Sequence, residues 1–370
     1  MVGYLTSLIT LTSVFALFSL GLNVQWGMTG LINFGHVAFM TVGAYATVLL
    51  SSNGVPLVFA VLAGAALASV LGLIVGASTL RLREDYLAIV TIGVSEVVRL
   101  VALNEEWLTR GARGVASYPL PLEDLDATWP VRIGAIALWT LIFAYGLKKL
   151  WGWTRGWNRA ERTADERNKS RPLRRLMVGA ATVTTGIILY GVGIAALYGF
   201  NFRAGLMLLA STVLVAVYSQ LERLGRSPWG RVLKAIREDE EVAKALGKNV
   251  FWYKLQSLML GGAIAGIAGS FYAWQLTFIN PDGFIPLMTF QAWTIVVLGG
   301  AGNNTGTLLG AAIFWAYTTL TRFGLPAILP LDDARLGAFR IMVIGLILIV
   351  VMMLRPQGML GRKEELTLGR

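Results

Sequence analysis

The chain has 370 residues, of which 55% are hydrophobic and 14% are charged, whereas ordinary soluble domains carry about 25% charged residues. This balance excludes a soluble globular fold, because the chain supplies too few polar residues to cover a water-facing surface. The net charge of +11 does not indicate nucleic-acid binding, because the basic residues gather between apolar runs. The absence of cysteine excludes disulfides, thiolate metal sites and cysteine nucleophiles.

Apolar runs occur along the whole chain, and each is long enough, or nearly so, to cross a bilayer as a helix of roughly 20 residues. The first charged residue is Arg81, so the amino-terminal run is interpreted as a retained membrane helix. We predict an all-α integral membrane protein, a polytopic bundle of about ten transmembrane helices in a single domain over 1–370. The runs cover residues 4–24, 37–52, 56–80, 86–103, 131–151, 177–199, 203–221, 255–277, 305–321 and 337–354.

Residues 25–36 are apolar but interrupted by glycines, an asparagine and the only histidine of the chain. Such a pattern predicts a broken or re-entrant segment, whose freed backbone groups must face protein or a water-filled cavity. Asn33 and Gly35 fit either the lining of a translocation pathway or close helix packing with an interhelical hydrogen bond. For His36, a packing histidine is favoured over a proton relay, and a single histidine makes no metal site.

Glu96 and Arg99 lie three residues apart within the run 86–103. This spacing places them on one helix face, where they can neutralise each other as an intramembrane charge pair. A structural pair that lies one or two turns from the loop at 81–85 is favoured over a functional one.

The charges of the connecting segments predict the topology. Residues 152–176 carry eight basic and three acidic residues, and residues 222–254 carry another eight basic residues, so both are predicted to be cytoplasmic loops. Residues 104–130 are net acidic and belong outside. The side of the amino terminus and the exact number of spans stay open.

Residues 227–247 of the second cytoplasmic loop carry the signals of a short helical element. Ser227 is placed as an N-cap, Pro228 lies at the first helical position, and Gly247 closes the element. Apolar residues at near-helical spacing predict a stripe that docks on a soluble partner, and an amphipathic helix at the membrane surface is the alternative. The four consecutive carboxylates at 238–241 favour the protein partner, because they would repel anionic lipid headgroups.

Residues 298–307 form a second segment of glycines and amides between apolar runs, within an interrupted stretch at 287–304. No Gly-x-x-x-x-Gly-Lys-Ser/Thr string occurs in the chain, so it does not bind ATP through a phosphate-binding loop. The pattern is weakly similar to the break at Asn33 and Gly35, as expected for two pseudo-repeated halves.

Five stretches together resemble the LivM-type permeases of branched-chain amino acid ABC importers. They are residues 21–39, 82–93, 227–240, 299–303 and 354–361, and the resemblance extends over nearly the whole chain. It implies a type II-like importer permease of the bacterial inner membrane, which is not itself an enzyme and has no catalytic or metal-binding residue. The implied partners are a second related permease in a heterodimer, two ATP-binding subunits that hold ATP and Mg, a periplasmic binding protein, and membrane lipid.

The resemblance also implies roles for individual residues. The break residues Asn33, Phe34, Gly35, His36, Gly300, Gly302, Asn303 and Asn304 correspond to the family's segments near the substrate pathway. The coupling residues Ser227, Gly230, Arg231, Ala235, Arg237, Glu238, Asp239, Ala243, Leu246 and Gly247 correspond to the cytoplasmic loop that receives the ATPase.

Two alternatives stay open at this point. The first is a urea or amide permease of the same family, although the sequence Ile-Asn-Phe-Gly-His at residues 32–36 resembles neutral or branched-chain amino acid permeases more closely. The second is an ion-coupled secondary transporter, for which Glu96 and Arg99 are the only candidates. The sequence does not name the transported amino acid.

Overall fold

The computed structural model describes residues 2–81, 84–123, 125, 128–162, 186–328, 332–354 and 358–360. Within these residues, eight helices are long and apolar enough to cross a membrane, and two shorter apolar helices cover Val37–Ser52 and Gly186–Tyr198. The prediction of an all-helical membrane protein is confirmed, and the count of about ten spans is approximate.

Helices and one short β-pair make up the described part of the chain. The strands β1 (Val115–Ala116) and β2 (Phe278–Ile279) pair antiparallel, with Val115 opposite Ile279. The helices are α1 (Val2–Leu22), α2 (Val37–Ser52), α3 (Leu57–Thr79), α4 (Glu84–Asn104), α5 (Glu106–Thr109), α6 (Trp129–Arg162), α7 (Gly186–Tyr198), α8 (Phe202–Arg226), α9 (Pro228–Glu238), α10 (Glu240–Ala245), α11 (Val250–Leu276), α12 (Pro286–Gly299), α13 (Asn304–Ile328) and α14 (Asp333–Leu354).

Two segments differ from the prediction. α6 continues to Arg162, so its carboxyl-terminal part enters the segment that was predicted to be a basic loop over 152–176. Residues 152–162 contain no proline, and several of them are good helix formers. The rest of that loop, and residues 177–185 of the following predicted run, lie outside the described residues. α12 is regular to Gly299, so the predicted interruption over 287–304 is confined to residues 300–303.

The chain divides into two compact units, residues 1–10 with 121–215 and residues 11–120 with 216–370. In the first unit, the buried core combines residues of α6, α7 and α8. The indole Nε1 of Trp139 in α6 donates a 3.4 Å hydrogen bond to the Tyr190 carbonyl oxygen in α7. The core comprises Ala135, Trp139, Ala196, Leu197, Ala204, Met207 and Leu208.

In the second unit, α11 packs closely against α2 and α3 because glycines line the contact. A Cβ at Gly43 in α2 would overlap the backbone of Gly266 in α11, and a Cβ at Gly269 would overlap the Met40 carbonyl. A buried hydrogen bond of 2.7 Å also joins the hydroxyls of Thr47 and Ser270. Small residues that let backbones approach, with a hydroxyl pair between them, are typical of helix packing in membranes.

Candidate translocation pathway and coupling element

The first break follows α1. The helix continues as a π-helix over Asn23–Gly27 and ends two residues later. No regular helix follows until α2 begins at Val37. Gly30 has φ +77, a left-handed conformation that favours glycine. The prediction of a broken segment over 25–36 is thus confirmed in position, and π-helical turns occur frequently at functional sites.

Buried amide side chains hold this break in place. Asn33 Nδ2 donates to Gln25 Oε1 at 2.9 Å, and Asn33 Oδ1 accepts the Gly35 amide at 2.9 Å. Gln25 Nε2 in turn donates to the Leu258 carbonyl in α11 at 3.2 Å. A Cβ at Gly35 would overlap the Thr91 carbonyl in α4, so Gly35 permits a close backbone contact. Asn33 thus makes its side-chain hydrogen bonds within the break, and Gly35 makes a close contact with α4, while their role in the pathway stays a prediction.

His36 is fully buried directly before α2. Its Nε2 lies 3.1 Å from the Phe18 carbonyl oxygen, which only accepts, so Nε2 carries the proton. The ring also packs on Phe18 with 4.8 Å between ring centroids. Within the described residues, its Nδ1 has no hydrogen-bond partner. These contacts support the favoured interpretation of a packing histidine.

Phe34 belongs to an aromatic cluster that joins the break to α12. Its ring centroid lies 5.4 Å from that of Phe290 and 5.2 Å from that of Trp293. Trp26 packs on Trp293 with 4.4 Å between centroids. Phe290 is 44% exposed, so the cluster presents apolar surface beside the break. Sequence reasoning missed Phe290 and Trp293, although their spacing of three residues places them on one face of the predicted apolar segment.

The second break separates α12 from α13. Gly300 and Gly302 have φ +108 and +81, and the Asn303 side chain accepts the Gly306 amide at 3.1 Å, which caps α13. Asn303 Nδ2 donates to the Leu360 carbonyl at 2.8 Å. Of the predicted residues, Gly300, Gly302 and Asn303 therefore lie in the turn between the two helices, and Asn304 is the first residue of α13.

The two breaks are in direct contact. Asn23 Oδ1 accepts the Gly302 amide at 2.8 Å, and Asn23 Nδ2 donates to Asn304 Oδ1 at 3.0 Å. Asn304 Nδ2 then donates to Glu222 Oε1 in α8 at 3.3 Å. Sequence reasoning did not single out Asn23, although an amide in a charge-free apolar run is expensive to bury and therefore informative. The breaks, predicted from separate segments, form one polar centre in an apolar bundle.

Residues 227–247 form two helices instead of one. The Ser227 side chain accepts the Gly230 amide at 3.4 Å and Pro228 is the first residue of α9, as predicted. α9 ends at Glu238. The next residue, Asp239, is extended, and its side chain caps α10 by accepting the Glu241 and Val242 amides at 2.8 and 3.0 Å. Gly247 closes α10 with φ +74.

Part of the apolar stripe of this element packs on the chain itself, so those residues do not dock on a partner. Leu246 of the same stripe is 71% exposed, and docking through it stays a prediction. Leu233, Ile236 and Ala243 are buried, and Ile236 and Ala243 form a cluster with Val250 at the start of α11. Gly230 is also buried, and a Cβ there would overlap the backbone of α8 at Leu224 and Gly225. The outward face instead carries the exposed residues Arg231, Ala235, Glu238, Val242 and Leu246.

The acidic cluster at 238–241 also has partners within the chain. Lys254 in α11, 10% exposed, donates to Glu240 at 2.5 Å, and Lys244 pairs with Glu240 at 2.9 Å. Burial acts to raise the pKa of Glu240, but the hydrogen bonds and charges of the two lysines outweigh it, so the pKa lies below its ordinary value. Glu240 therefore fastens the element to α11, whereas Asp239 caps α10 within the element.

Glu96 and Arg99 form the predicted pair, with Arg99 Nε at 3.0 and 3.1 Å from the two carboxylate oxygens. Arg99 Nη1 also contacts Asp282 at 2.9 Å. The expected position near the loop at 81–85 is wrong. The pair lies in the carboxyl-terminal half of α4 (Glu84–Asn104), where Arg99 reaches Asp282 in the segment after β2. Glu96 and Asp282 are 40% and 64% exposed, so this cluster lies at the bundle surface.

Residues 4–352 match the family described as the permease component of the branched-chain amino acid transport system. The permease protein LivM of a high-affinity branched-chain amino acid transport system in Escherichia coli (strain K12) is 29% identical over 95% of this chain and 68% of its own length. A probable LivM of Methanocaldococcus jannaschii is 24% identical over 94% of this chain and 91% of its own length.

A second kind of relative matches part of the chain. The permease protein LivH of Escherichia coli (strain K12) is 28% identical over 44% of this chain and 51% of its own length. No solved structure matches the chain. The family match covers almost the whole sequence, and the structure supplies the apolar helices that a permease requires. The chain belongs to the family of permease components of branched-chain amino acid transport systems, as a multi-pass protein of the inner membrane.

Proposed function

We propose that this chain is the transmembrane permease subunit of an ATP-binding cassette importer that moves branched-chain amino acids into the cytoplasm. In this proposal it pairs with a second related permease as a heterodimer, receives substrate from a periplasmic binding protein, and is driven by two ATP-binding subunits. ATP and Mg are bound by those subunits and not by this chain.

The observation that carries the proposal is the division of the α9–α10 element into two faces. Its inner face is fixed to the bundle by Leu233, Ile236 and the Glu240–Lys254 ion pair. Its outer face exposes apolar and charged side chains together, with Val242 55% and Leu246 71% exposed. An element that is rigidly joined to the transmembrane helices and presents apolar residues outward is suited to receive force from a docked subunit.

The pathway in this proposal runs beside the two breaks. The aromatic cluster of Trp26, Phe34, Phe290 and Trp293 offers apolar surface for an aliphatic side chain. The amide and glycine residues next to it offer polar backbone groups for the charged end of an amino acid. A path of this mixed character suits small zwitterions with an apolar side chain.

The experiment places a carboxylate on the outer face. Ala235 and Leu246 are exposed, so the chain should still fold with Ala235→Asp or Leu246→Asp. Docking of a partner should weaken, because the new charges are desolvated at the contact. The complex is purified from native membranes and assayed for co-purified ATPase and for ATP-driven leucine uptake in proteoliposomes. We expect both to fall by about tenfold or more.

Asn53→Asp is the matched control, because it adds a carboxylate at an exposed site in the loop between α2 and α3. This variant should retain ATPase and uptake. If Ala235→Asp and Leu246→Asp retain them equally well, the assignment of α9–α10 as the coupling element is refuted.

A further inference from the structure

Arg237 is directed into the bundle and not toward a partner. It lies half-buried in the last turn of α9, and its Nη1 donates a 2.6 Å hydrogen bond to the carbonyl oxygen of Gly27, the last residue of the π-helix. That carbonyl belongs to the part of the backbone where the regular helix is lost. Arg237 thus satisfies an acceptor of the first break with a charged donor, which is a strong kind of hydrogen bond.

The same guanidinium group lies against the second break. A Cβ at Gly302 would lie 2.7 Å from Arg237 Nη1 and 2.7 Å from the Gly27 carbonyl oxygen. On the other side, a Cβ at Gly30 would lie 3.7 Å from Arg237 Cγ. Gly30 lies in the first break and Gly302 in the second, and both are left-handed, with φ +77 and +81. One side chain of α9 therefore packs on a left-handed glycine of each break.

Asn23 completes this contact. It bonds the Gly302 amide and the Asn304 side chain, so the first break holds the second through polar groups. By contrast, the helices α2, α3 and α11 are held together by close glycine contacts. A few directional hydrogen bonds can be exchanged when α9 moves, whereas a packed helix contact resists deformation.

We infer that Arg237 is a positioning residue that links movement of α9 to both breaks at once, and this inference rests on the proposed function. Displacement of α9 by the ATPase withdraws the guanidinium group from the Gly27 carbonyl and from Gly302 in a single step. The two breaks, which adjoin the aromatic cluster, are then released together. Loss of Arg237 should leave ATP hydrolysis intact but disconnect it from transport.

The test compares Arg237→Ala with Arg223→Ala in the whole complex reconstituted in proteoliposomes. Arg223 carries the same charge but lies exposed in the last turn of α8, outside the coupling residues and both breaks. ATP hydrolysis, ATP-driven leucine uptake and recovery of the complex are measured for each variant. We expect Arg237→Ala to keep ATP hydrolysis within about twofold and to lose about tenfold or more of uptake, whereas Arg223→Ala keeps both.

Two further variants keep the test decisive if Arg237→Ala does not assemble. Arg237→Lys retains the charge but lacks the planar fork, so it should lower the number of leucine molecules moved per ATP. Gly302→Ala places a methyl group 2.7 Å from both the guanidinium and the Gly27 carbonyl oxygen, at a left-handed backbone position. It disturbs the same contact without changing α9 and should also lower the number of leucine molecules moved per ATP.

The outcomes separate this inference from the proposed function. If wild-type complex shows ATP-driven uptake but Arg237→Ala and Gly302→Ala transport as well as Arg223→Ala, the inference alone is overturned. The same holds if uptake and ATP hydrolysis fall in equal proportion, because that result indicates a merely structural role. If wild-type complex shows no ATP-driven uptake, both are overturned.

Discussion

The indole Nε1 of Trp293 in α12 donates a hydrogen bond of 3.1 Å to the backbone carbonyl oxygen of Asn33, and the donor lies 260 residues away from the acceptor in the sequence. The carbonyl belongs to the broken segment, where no helix supplies a donor. Trp293 thus replaces a missing backbone hydrogen bond and also places its ring between Phe34 and Trp26. One side chain stabilises the break and forms part of the wall of the proposed pathway.

Trp293→Phe should destabilise the protein, because it keeps an aromatic ring but leaves the Asn33 carbonyl without its donor. We expect a loss of roughly 1–3 kcal/mol, seen as a lower unfolding temperature in detergent. Trp107→Phe is the matched control, since Trp107 is 81% exposed and its indole bonds the nearby Glu105 side chain. Equal unfolding temperatures for the two variants would show that the Asn33 carbonyl does not depend on Trp293.

Gly43→Ala should disrupt the packing of α2 on α11, because its Cβ overlaps the Gly266 backbone. We expect a destabilisation of about 1–3 kcal/mol, as for other overpacked cores. Gly93→Ala in α4 is the control, since a Cβ there meets no atom within 4 Å. The midpoint of thermal unfolding should fall for Gly43→Ala and stay unchanged for Gly93→Ala, and the opposite order would contradict the described helix contact.

The Glu240–Lys254 ion pair predicts a pH dependence of stability. The pKa of Glu240 in the folded protein is lowered, so its contribution is complete above the ordinary carboxylate range of about 4–4.5 and is lost as the pH falls through the lowered folded pKa. Glu240→Gln should therefore be less stable than wild type at pH 7, with the difference shrinking at acidic pH.

Thermal unfolding of wild type and Glu240→Gln across this pH range measures the effect. Glu241→Gln, an exposed neighbour in the same helix, serves as the control and should show a smaller difference at pH 7. A difference for Glu240→Gln that stays constant from neutral to acidic pH would argue that the ion pair does not fasten α10 to α11.

Arg99→Gln should have little effect on stability or transport. The Glu96 and Asp282 carboxylates around Arg99 are 40% and 64% exposed, and such surface ion pairs contribute less than about 1 kcal/mol. Leucine uptake by the complex should stay within about twofold of wild type. A secondary transporter that couples ions through Glu96 and Arg99 would instead lose its gradient-driven uptake, so a large loss would support that alternative.

Local features were predictable from the sequence because they depend on neighbouring residues. Ser227, Pro228 and Gly247 mark the ends of the cytoplasmic element through capping and backbone preference, and the structure has all three in the predicted roles. The break at Asp239 was not predicted. The residue lies in a run of four carboxylates, in which charge alone does not show that one of them caps a second helix.

The direction of side chains was not predictable, because it depends on distant parts of the chain. The stripe through Leu233 and Ile236 looks the same whether it packs on its own bundle or on another protein. Likewise, nothing near Arg237 in the sequence indicates that its acceptor is the Gly27 carbonyl, which lies 210 residues away. Each break was predicted from its glycines and amides, but their contact through Asn23 required the structure.

The most direct test of the account compares leucine uptake by the purified chain alone with uptake by the complex isolated from native membranes, both in proteoliposomes. With ATP supplied on the side of the ATP-binding subunits, the complex should accumulate leucine, and the chain alone should not do so with ATP or with an ion gradient. Accumulation of leucine by the chain alone, driven by an ion gradient, would contradict the claim that its transport depends on force received through α9 and α10.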